Sequence, residues 1–530
     1  QAHKKFHPGF TRGYIASQAY ADKFKNKDIR PKGKKTADFD TKPFTDQYVW
    51  LGADAHKKLF DFIDDCETDT TAKVDVFIYD NDHPDVIAAI CRIGKQGRLR
   101  AIIDNAPLHT KTGAVEITAA KMITDAAATA NVKRGCFERF QHNKVFIKSD
   151  KNGNAQRVFF GSMNFSIRGL YVQANNVIVV DDPATAQKFK DAFDNAFVNA
   201  FTTPAKKEKL NTAKFAAGDF AQGYMALSAT DTADLPKFSL ALSPHKDSSV
   251  SLSPMSDRIR SATSSVLYAV MAPTGSGPVL TSLRALAANP IVFSYGTVET
   301  ATGLAVQSPN GAMGDVTGFA ALTKNVPPPF TAEFAGGAGM HIHNKFVVVD
   351  FNGDNPTVFT GSSNLAAGGE QSNGDSLAMI EDAAIANMYA IEAVSQFDHY
   401  HYRSAKKAAT KSAPLMLWFP GQPKKPSPWW KSYYDKTTIQ MRDRCLFAGV
   451  SLPPGMEAVK TPDWSSLDKA AGAAAKKKKA SSKRTSSKKA SSKKTSSKKA
   501  ASKKASKKKA TAGKKTAAKK TAKKGSSKKR

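Results

Sequence analysis

The chain has 530 residues, of which 41% are hydrophobic, and it carries 79 Lys and Arg against 46 Asp and Glu, a formal net charge of +33. This composition excludes a wholly disordered chain and an acidic enzyme. Of the basic residues, 26 lie in residues 476–530, which contain no acidic residue, so residues 1–475 carry a net charge of only +7. No stretch approaches the ~18 consecutive apolar residues that a membrane-spanning helix needs.

The first half of the chain alternates helical and strand patterns. Residues 1–44 are polar and basic, and we expect a basic N-terminal arm with little core. The apolar spacing then predicts a helix at 53–65, a strand at 73–80, a helix at 84–96 and a strand at 98–104. Strands that alternate with helices indicate an α/β architecture.

The second half follows the same order of elements. The pattern predicts strands at 249–254, 265–272 and 291–298, with a helix from Met255 and another at 278–289. We therefore expect two α/β lobes. The predicted domains are an arm (1–44), a first lobe (45–215), a linker (216–240), a second lobe (241–410), an aromatic and Pro-rich extension (411–472) and a disordered Lys-rich tail (473–530).

Direct comparison of the two halves shows an internal duplication. HNKVFIKSDKNG at 142–153 matches HNKFVVVDFNG at 343–353, and GSMN at 161–164 matches GSSN at 361–364. The first copy has one extra residue before its Asn-Gly pair. In both copies Asn-Gly predicts a hairpin whose second strand ends in Gly-Ser-x-Asn. His, Lys, Ser and Asn are thus expected to meet at neighbouring strand ends.

These residue types suit phosphodiester cleavage without a metal. His and Lys two positions apart on a strand share one face. A neutral imidazole can act as nucleophile or base, while ammonium, hydroxyl and amide groups can hold an oxyanion. Because the duplication supplies two imidazoles, one can serve as nucleophile and the other as general acid.

The two HxK segments, each followed by Asp and GSxN, resemble the phospholipase D superfamily, whose signature is a duplicated HxKx4D. His343, Lys345 and Asp350 fit that signature, and His142 and Lys144 fit it with Asp150 displaced by one position. The resemblance covers roughly residues 45–405. It implies two pseudo-symmetric lobes, each a mixed sheet flanked by helices, with one shared active site.

The resemblance also implies the roles of the site residues. One His attacks phosphorus to give a phosphohistidine, and the other protonates the leaving alcohol; no cofactor and no metal are implied, and His341 is interpreted as a lining residue. The phosphate oxygens would be held by Lys144, Lys345, Asn164 and Asn364, with Ser162 and Ser362 in support. Two aspartates, Asp150 and Asp350, would be structural.

The sequence departs from the family at the Glu that usually follows the GSxN Asn by eleven residues. Those positions hold Asn175 and Asp375. If Asp375 hydrogen-bonds His343, its charge raises the pKa of that imidazole, whereas Asn175 leaves His142 more often neutral. This pairing predicts His142 as nucleophile and His343 as general acid.

Three functions remain open from the sequence. A phospholipase D-like enzyme acting on phospholipid is preferred; a DNA phosphodiesterase tethered by its tail and a non-catalytic nucleic-acid-binding protein are the alternatives. We expect the Lys-rich tail to contact DNA or an anionic membrane surface. A monomer is expected, since both half-sites lie in one chain. The chain begins at Gln1, so a removed leader and secretion are one expectation and a cytoplasmic, nucleoid-associated location the other.

Overall fold

A computed structural model describes residues 2–32, 37–271, 276–288, 292–298, 306–307, 313–314, 342–408, 428 and 430–456. All of them belong to one unit, Gln1–Thr461. The predictions for the tail at 473–530, for His341 and for most of the extension at 411–472 fall outside the described residues.

The first half contains one large sheet with helices around it. Its strands are β1 (Phe6–Phe10), β2 (Lys73–Ile78), β3 (Leu99–Ile103), β4 (Val132–Arg134), β5 (Phe140–Gln141), β6 (Val145–Ser149), β7 (Ala155–Gly161), β8 (Asn176–Val180), β9 (Phe201–Thr202) and β10 (Glu208–Lys209). Its helices are α1 (Ser17–Phe24), α2 (Thr45–Thr68), α3 (Pro84–Lys95), α4 (Pro107–Thr110), α5 (Val115–Ala127), α6 (Ile167–Tyr171), α7 (Pro183–Val198) and α8 (Thr212–Ala216).

The second half contains the second large sheet. Its strands are β11 (Met225–Ser228), β12 (Lys237–Ser243), β13 (Ser265–Val270), β14 (Phe293–Val298), β15 (Val306–Gln307), β16 (Met313–Gly314), β17 (Lys345–Val349), β18 (Thr357–Gly361) and β19 (Asn373–Glu381). Its helices are α9 (Ser249–Arg260), α10 (Pro278–Ala288), α11 (Ala367–Ser372), α12 (Ala383–Ala408) and α13 (Ile439–Ala448).

The two sheets share the order of six strands, which confirms the predicted α/β fold with two mixed sheets; β4 is added at one edge of the first sheet and β11 at the opposite edge of the second. The first runs β1-β8-β7-β6-β2-β3-β4 and the second β11-β12-β19-β18-β17-β13-β14. In each, one corresponding pair is parallel (β2 with β3, β13 with β14), and the strands that follow on the side of the hairpin are antiparallel; in the first sheet β3 also pairs in parallel with β4. Both Asn-Gly hairpins, β6–β7 and β17–β18, form as predicted.

The N-terminal segment has more core than the sequence interpretation allowed. β1 pairs antiparallel with β8 at the edge of the first sheet, in the place that β12 occupies in the second. Phe6, Tyr14, Tyr20 and Ile29 are buried. The expectation of little core was wrong because the aromatic residues fall in one short strand and two short helices, where no long period marks them, among exposed basic residues.

The predicted strand at 249–254 was also wrong, because these residues begin helix α9. The strand that precedes α9 is β12, which begins in the segment interpreted as a linker (216–240) and ends in the predicted second lobe. The buried face of α9 includes Ser251 and Ser256, whose hydroxyls bond to Glu370 and Ser282. Buried serines made a helical face resemble the alternation of a strand.

A helix beyond the second lobe packs against its sheet. Phe447 of α13 contacts Phe293 and Phe351, with ring centroids 5.1 and 5.6 Å apart. Asp443 accepts a hydrogen bond from the Tyr295 hydroxyl at 3.3 Å. Among the helices described, none has the length and apolarity required to cross a membrane.

Candidate active site

The two hairpins carry the HxK segments to the junction of the two sheets. His142 and Lys144 immediately precede β6; in the second half His343 precedes β17 and Lys345 is its first residue. All four side chains are buried, with 3% or less of their surface exposed. Each histidine responds electrostatically to the lysines of both halves. The duplicated segments therefore form one site.

The orienting residues cross between the halves. His142 donates from Nδ1 to Asp375 Oδ1 at 2.7 Å, and His343 donates from Nδ1 to Asn175 Oδ1 at 2.9 Å. The sequence-based pairing of Asp375 with His343 was therefore wrong. With Nδ1 bonded in each case, Nε2 is the nitrogen left for chemistry on both rings.

Backbone contacts between the sheets explain the crossing. β5 pairs in parallel with the start of β19, and the backbone N–H of His142 donates to Gly374 O at 2.9 Å. In the other half the N–H of His343 donates to Ala174 O at 3.0 Å. Each histidine backbone is thus hydrogen-bonded to the residue that precedes its orienting side chain, Asp375 or Asn175, in the opposite lobe. These bonds fix which side chain faces each histidine.

The two serines hold the orienting side chains. Ser162 donates to Asn175 Oδ1 at 2.9 Å, and Ser362 donates to Asp375 Oδ1 at 2.7 Å. Asn175 is further fixed by donating from Nδ2 to Gly169 O at 2.8 Å. Ser162 and Ser362 thus act on each histidine through the residue that binds it.

The lysines donate to the carbonyl of their own histidine. Lys345 Nζ lies 2.7 Å from His343 O, and Lys144 Nζ bonds to His142 O in the same way. Lys144 also lies over the Tyr79 ring, 4.4 Å from its centroid. Burial lowers the pKa of Lys144 to about 7, against the opposing effect of nearby carboxylates.

Burial also lowers the pKa of both histidines. It lowers the pKa of His142 to about 4, helped by Lys144 and opposed by Asp375. The pKa of His343 falls well below its ordinary value through burial and through Lys345 and Lys144. Although burial favours a protonated Asp375, the His142 imidazole, the Lys144 ammonium and the Ser362 hydroxyl hold the pKa of that carboxyl below its usual range. Both imidazoles are therefore neutral at pH 7 in the ligand-free protein.

The two aspartates of the HxKx4D pattern lie away from the histidines. Asp350 is buried and accepts from the backbone N–H groups of residues 263–265 and from Arg258. Asp150 accepts only within its own turn, from Asn152 N and from the backbone and side-chain nitrogens of Asn154. The extra residue of the first copy accompanies a register irregularity between Lys148 and Ser149.

The two asparagines of GSxN differ in their surroundings. Asn164 is buried and donates to Asp80 Oδ2 at 3.4 Å, which places it beside Lys144, whose pKa responds to Asp80. Asn364 is partly buried and, among the described residues, makes no hydrogen bond to the histidine pair.

Sequence reasoning missed Tyr79 and Asp80 as neighbours of the site. The Tyr79 ring packs edge-on against His142, with centroids 4.5 Å apart. Both residues follow strand β2, and no repeated motif marks them. The only available signal was their position at the carboxyl end of a predicted strand.

Comparison with known proteins identifies the first lobe. Residues 60–197 match a family model described as cardiolipin synthase, PLD-like domain. No curated protein sequence matches the chain.

Several solved structures match parts of the chain at low identity. Polyphosphate kinase from Porphyromonas gingivalis is 9% identical over 73% of this chain and 53% of its own, with a TM-score of 0.40. Phosphatidylserine synthase from Haemophilus influenzae is 13% identical over 63% and 83%, with a TM-score of 0.39. Nuc from Salmonella typhimurium, a phospholipase D family member, is 22% identical over 25% and 81%, with a TM-score of 0.21. This chain thus spans about half the length of the polyphosphate kinase.

The matched residues include the first HxK and GSxN segments, and six strands of the second sheet follow the order of six strands of the first. Residues 60–197 of the chain are therefore similar to a PLD-like domain of the cardiolipin synthase type.

Proposed function

We propose that this protein cleaves or transfers phosphodiesters through a phosphohistidine intermediate. The crossed histidine pair carries the proposal: two buried imidazoles are each fixed at Nδ1 by a side chain of the opposite lobe. Such fixation leaves Nε2 of each ring for a reaction at one phosphorus. Two buried lysines supply positive charge for a phosphate.

The proposed reaction has two balanced steps. In the first, His142 Nε2 attacks phosphorus, the bond to the leaving oxygen breaks, and that oxygen takes a proton from His343 Nε2. In the second, water or an acceptor alcohol gives its proton to His343 Nε2 and attacks phosphorus, and the P–N bond breaks. Both histidines return to their starting states.

The partner of each histidine supports this order. Phosphorylation at Nε2 of His142 leaves a positive imidazolium whose Nδ1–H faces the Asp375 carboxylate at 2.7 Å. That charge pair stabilises the intermediate. His343 faces the neutral amide of Asn175, so its imidazolium is held less tightly and is the better proton donor. His142 is therefore still proposed as the nucleophile and His343 as the general acid, although Asp375 bonds to His142 and Asn175 to His343.

The general acid acquires its proton with the substrate. Burial and the two ammoniums keep His343 neutral in the free protein. A bound phosphodiester anion offsets the charge of Lys144 and Lys345, and the pKa of His343 then rises. Binding of the anion is therefore coupled to proton uptake.

We propose a phospholipid as the substrate class. The match of residues 60–197 to a cardiolipin synthase-type domain supports a lipid diester. A nucleic acid is the second candidate, supported by the 26 basic residues and absence of acidic ones in residues 476–530. Ammoniums at that density neutralise phosphates without reading bases, so their contribution to binding weakens steeply with salt.

A direct comparison of substrates tests the proposal. The full-length chain is given phosphatidylcholine/phosphatidylglycerol vesicles and supercoiled plasmid, with and without EDTA. We expect head-group release that persists in EDTA and is lost in His142→Ala and in His343→Ala. His7→Ala is the matched control, because His7 bonds to Asp181 away from the site. If the plasmid is nicked with the same histidine dependence, nucleic acid and not phospholipid is the substrate class. Binding of the vesicles or the plasmid without turnover of either substrate would overturn the enzyme proposal.

A further inference from the structure

A third buried histidine lies beside the site, in a cluster with two carboxylates. Asp80 follows β2, His109 lies in α4 and Glu116 lies in the first turn of α5. Asp80 and His109 are 7% and 1% exposed, and Glu116 is partly buried. One ligand atom from each of the three lies within 4.8 Å of the others.

The His109 ring is held so that one nitrogen points into this cluster. Nδ1 donates to Asp104 Oδ2 at 2.8 Å, and Nε2 is buried without a hydrogen-bond partner among the described residues. Asp104 is itself fixed by accepting from the backbone N–H groups of Ala106 and Gln141 at 2.8 and 2.7 Å. A carboxylate that accepts Nδ1–H and leaves the Nε2 lone pair free is the arrangement found behind metal-binding histidines.

The two carboxylates of the cluster also lie against each other. A carboxylate oxygen of Asp80 lies within 4.8 Å of one of Glu116. Two carboxylates in contact repel unless they share a proton or a cation. Asp80 Oδ2 accepts from Ser166 Oγ at 3.2 Å and pairs with Arg168 Nη2 at 3.5 Å, so Arg168 offsets part of the negative charge.

We propose that Asp80, His109 and Glu116 bind a divalent transition-metal ion, with Zn²⁺ and Mn²⁺ as the fitting class. One imidazole and two carboxylates suit these ions better than the all-oxygen ligation of Ca²⁺ or Mg²⁺. Three protein ligands leave further coordination positions for water or for a phosphate oxygen.

The site adjoins the histidine pair without including it. The Tyr79 ring lies between His109 and His142, with centroid distances of 4.6 and 4.5 Å. Asp80 also contacts Asn164, which is proposed to bind phosphate. A cation there would add positive charge on the side of the site that Asn164 occupies.

A second cluster of the same residue types lacks the decisive feature. His3 lies with Asp231 and Asp382. Both of its ring nitrogens already have partners, Nδ1 with Thr232 O at 2.8 Å and Nε2 with Asp382 Oδ2 at 3.1 Å. That histidine therefore serves as the control.

Metal binding by the full-length chain tests the proposal without using turnover. Protein stripped with EDTA and dialysed is titrated calorimetrically with ZnCl₂ and, separately, with MnCl₂. We expect one site that weakens at least about tenfold in His109→Ala and in Glu116→Gln, and by about 10–100-fold in Asp104→Asn. His3→Ala should bind as the unaltered chain does.

Thermal unfolding distinguishes a variant that has lost the metal site from one that has failed to fold. Excess Zn²⁺ should raise the Tm of the unaltered chain and of His3→Ala, and should raise it less in Glu116→Gln, whose Tm without metal should be close to that of the unaltered chain. Three results would overturn the proposal. The His109 and Glu116 variants could bind the metal as tightly as the unaltered chain does, His3→Ala could lose binding instead, or the unaltered chain could bind no metal. Because no outcome depends on diester cleavage, this test and that of the proposed function fail separately.

Discussion

His142 donates from Nδ1 to the Asp375 carboxylate at 2.7 Å, although 233 residues separate the two in the chain. The counterpart, His343 with Asn175 at 2.9 Å, has a neutral amide where the first pair has a charge. The site is thus geometrically symmetric and electrostatically asymmetric. In the proposed mechanism, that asymmetry gives two chemically equal imidazoles different roles.

Asp375→Asn removes the asymmetry while keeping a side chain of similar size. The phosphoimidazolium of His142 then loses its counter-charge, so we expect kcat to fall by about 10²-fold or more with little change in KM. Steady-state kinetics on a soluble diester check this. Asn175→Asp is the matched variant: it should raise the pKa of His343 and shift the pH profile without a loss of that size. Equal losses in the two variants would contradict distinct roles.

The pH dependence of the first step should report His142. Only the neutral imidazole attacks phosphorus, and its pKa is about 4. With bis(p-nitrophenyl) phosphate, whose leaving group needs no acid, we expect a phosphorylation rate that falls below the His142 pKa, is flat from about pH 5 to about pH 6, and declines again as Lys144, whose pKa is about 7, loses its charge. Rapid pH-jump kinetics measure it. Because Asp375 raises this pKa, Asp375→Asn should shift the fall to lower pH, whereas Asp150→Asn should not. A midpoint near the ordinary histidine value would contradict the buried neutral ring.

We expect the buried ammonium of Lys144 to be required for activity and to lower the free energy of unfolding. Its folded pKa of about 7 lies far below its ordinary value, so the unfolded chain binds the extra proton and the folded state is penalised at pH 7. The penalty disappears as the pH rises toward the ordinary lysine pKa. Lys144→Met should abolish turnover and raise the free energy of unfolding by about 1–4 kcal/mol. Urea unfolding measures this.

The control for that prediction is another lysine of the same hairpin. Lys148 pairs with Asp65 and Asp69 at 2.9 and 3.3 Å, away from the histidines. Lys148→Met should therefore leave turnover intact and lower stability slightly. A destabilised Lys144→Met protein would show that the buried ammonium contributes net favourable contacts.

Gly161 precedes Ser162 where β8 approaches closely. It has a φ of +152°, and an added Cβ would lie 2.4 Å from Asn176 O. Gly161→Ala should cost about 2–4 kcal/mol and, by displacing Ser162 from Asn175, reduce activity. Gly97→Ala, also at positive φ but with nothing within 4 Å, should cost only about 1–2 kcal/mol and leave activity unchanged. Thermal unfolding and turnover of both variants make the comparison, and equal effects would contradict it.

Much of the scaffold was predictable because it depends on local pattern. The duplicated HxK and GSxN segments, with Asn-Gly between them, predicted both hairpins and the approach of His142, Lys144, His343 and Lys345. The catalytic roles of these residues stay predictions. Strand β1 was missed because five residues at a sheet edge carry no long period.

The crossing of the orienting residues could not be predicted from either half alone. It depends on β5 pairing with β19 and on the bridge between Ala174 and Ile342, contacts between segments more than 160 residues apart. The cluster of Asp80, His109 and Glu116 was missed for a similar reason. Its members come from three separate elements with no ligand spacing in sequence.

Trapping the covalent intermediate tests the central claim most directly. His343→Ala, given bis(p-nitrophenyl) phosphate, should complete the first step and stall before the second, since the leaving group needs no acid but water needs a base. One p-nitrophenolate leaves, and we expect mass spectrometry to find the remaining p-nitrophenyl phosphoryl group on His142 in that variant, and none in His142→Ala. A p-nitrophenyl phosphoryl group on His343 in the His142→Ala protein, with none in His343→Ala, would reverse the roles assigned to the pair. Full turnover by both variants would contradict the histidine mechanism itself.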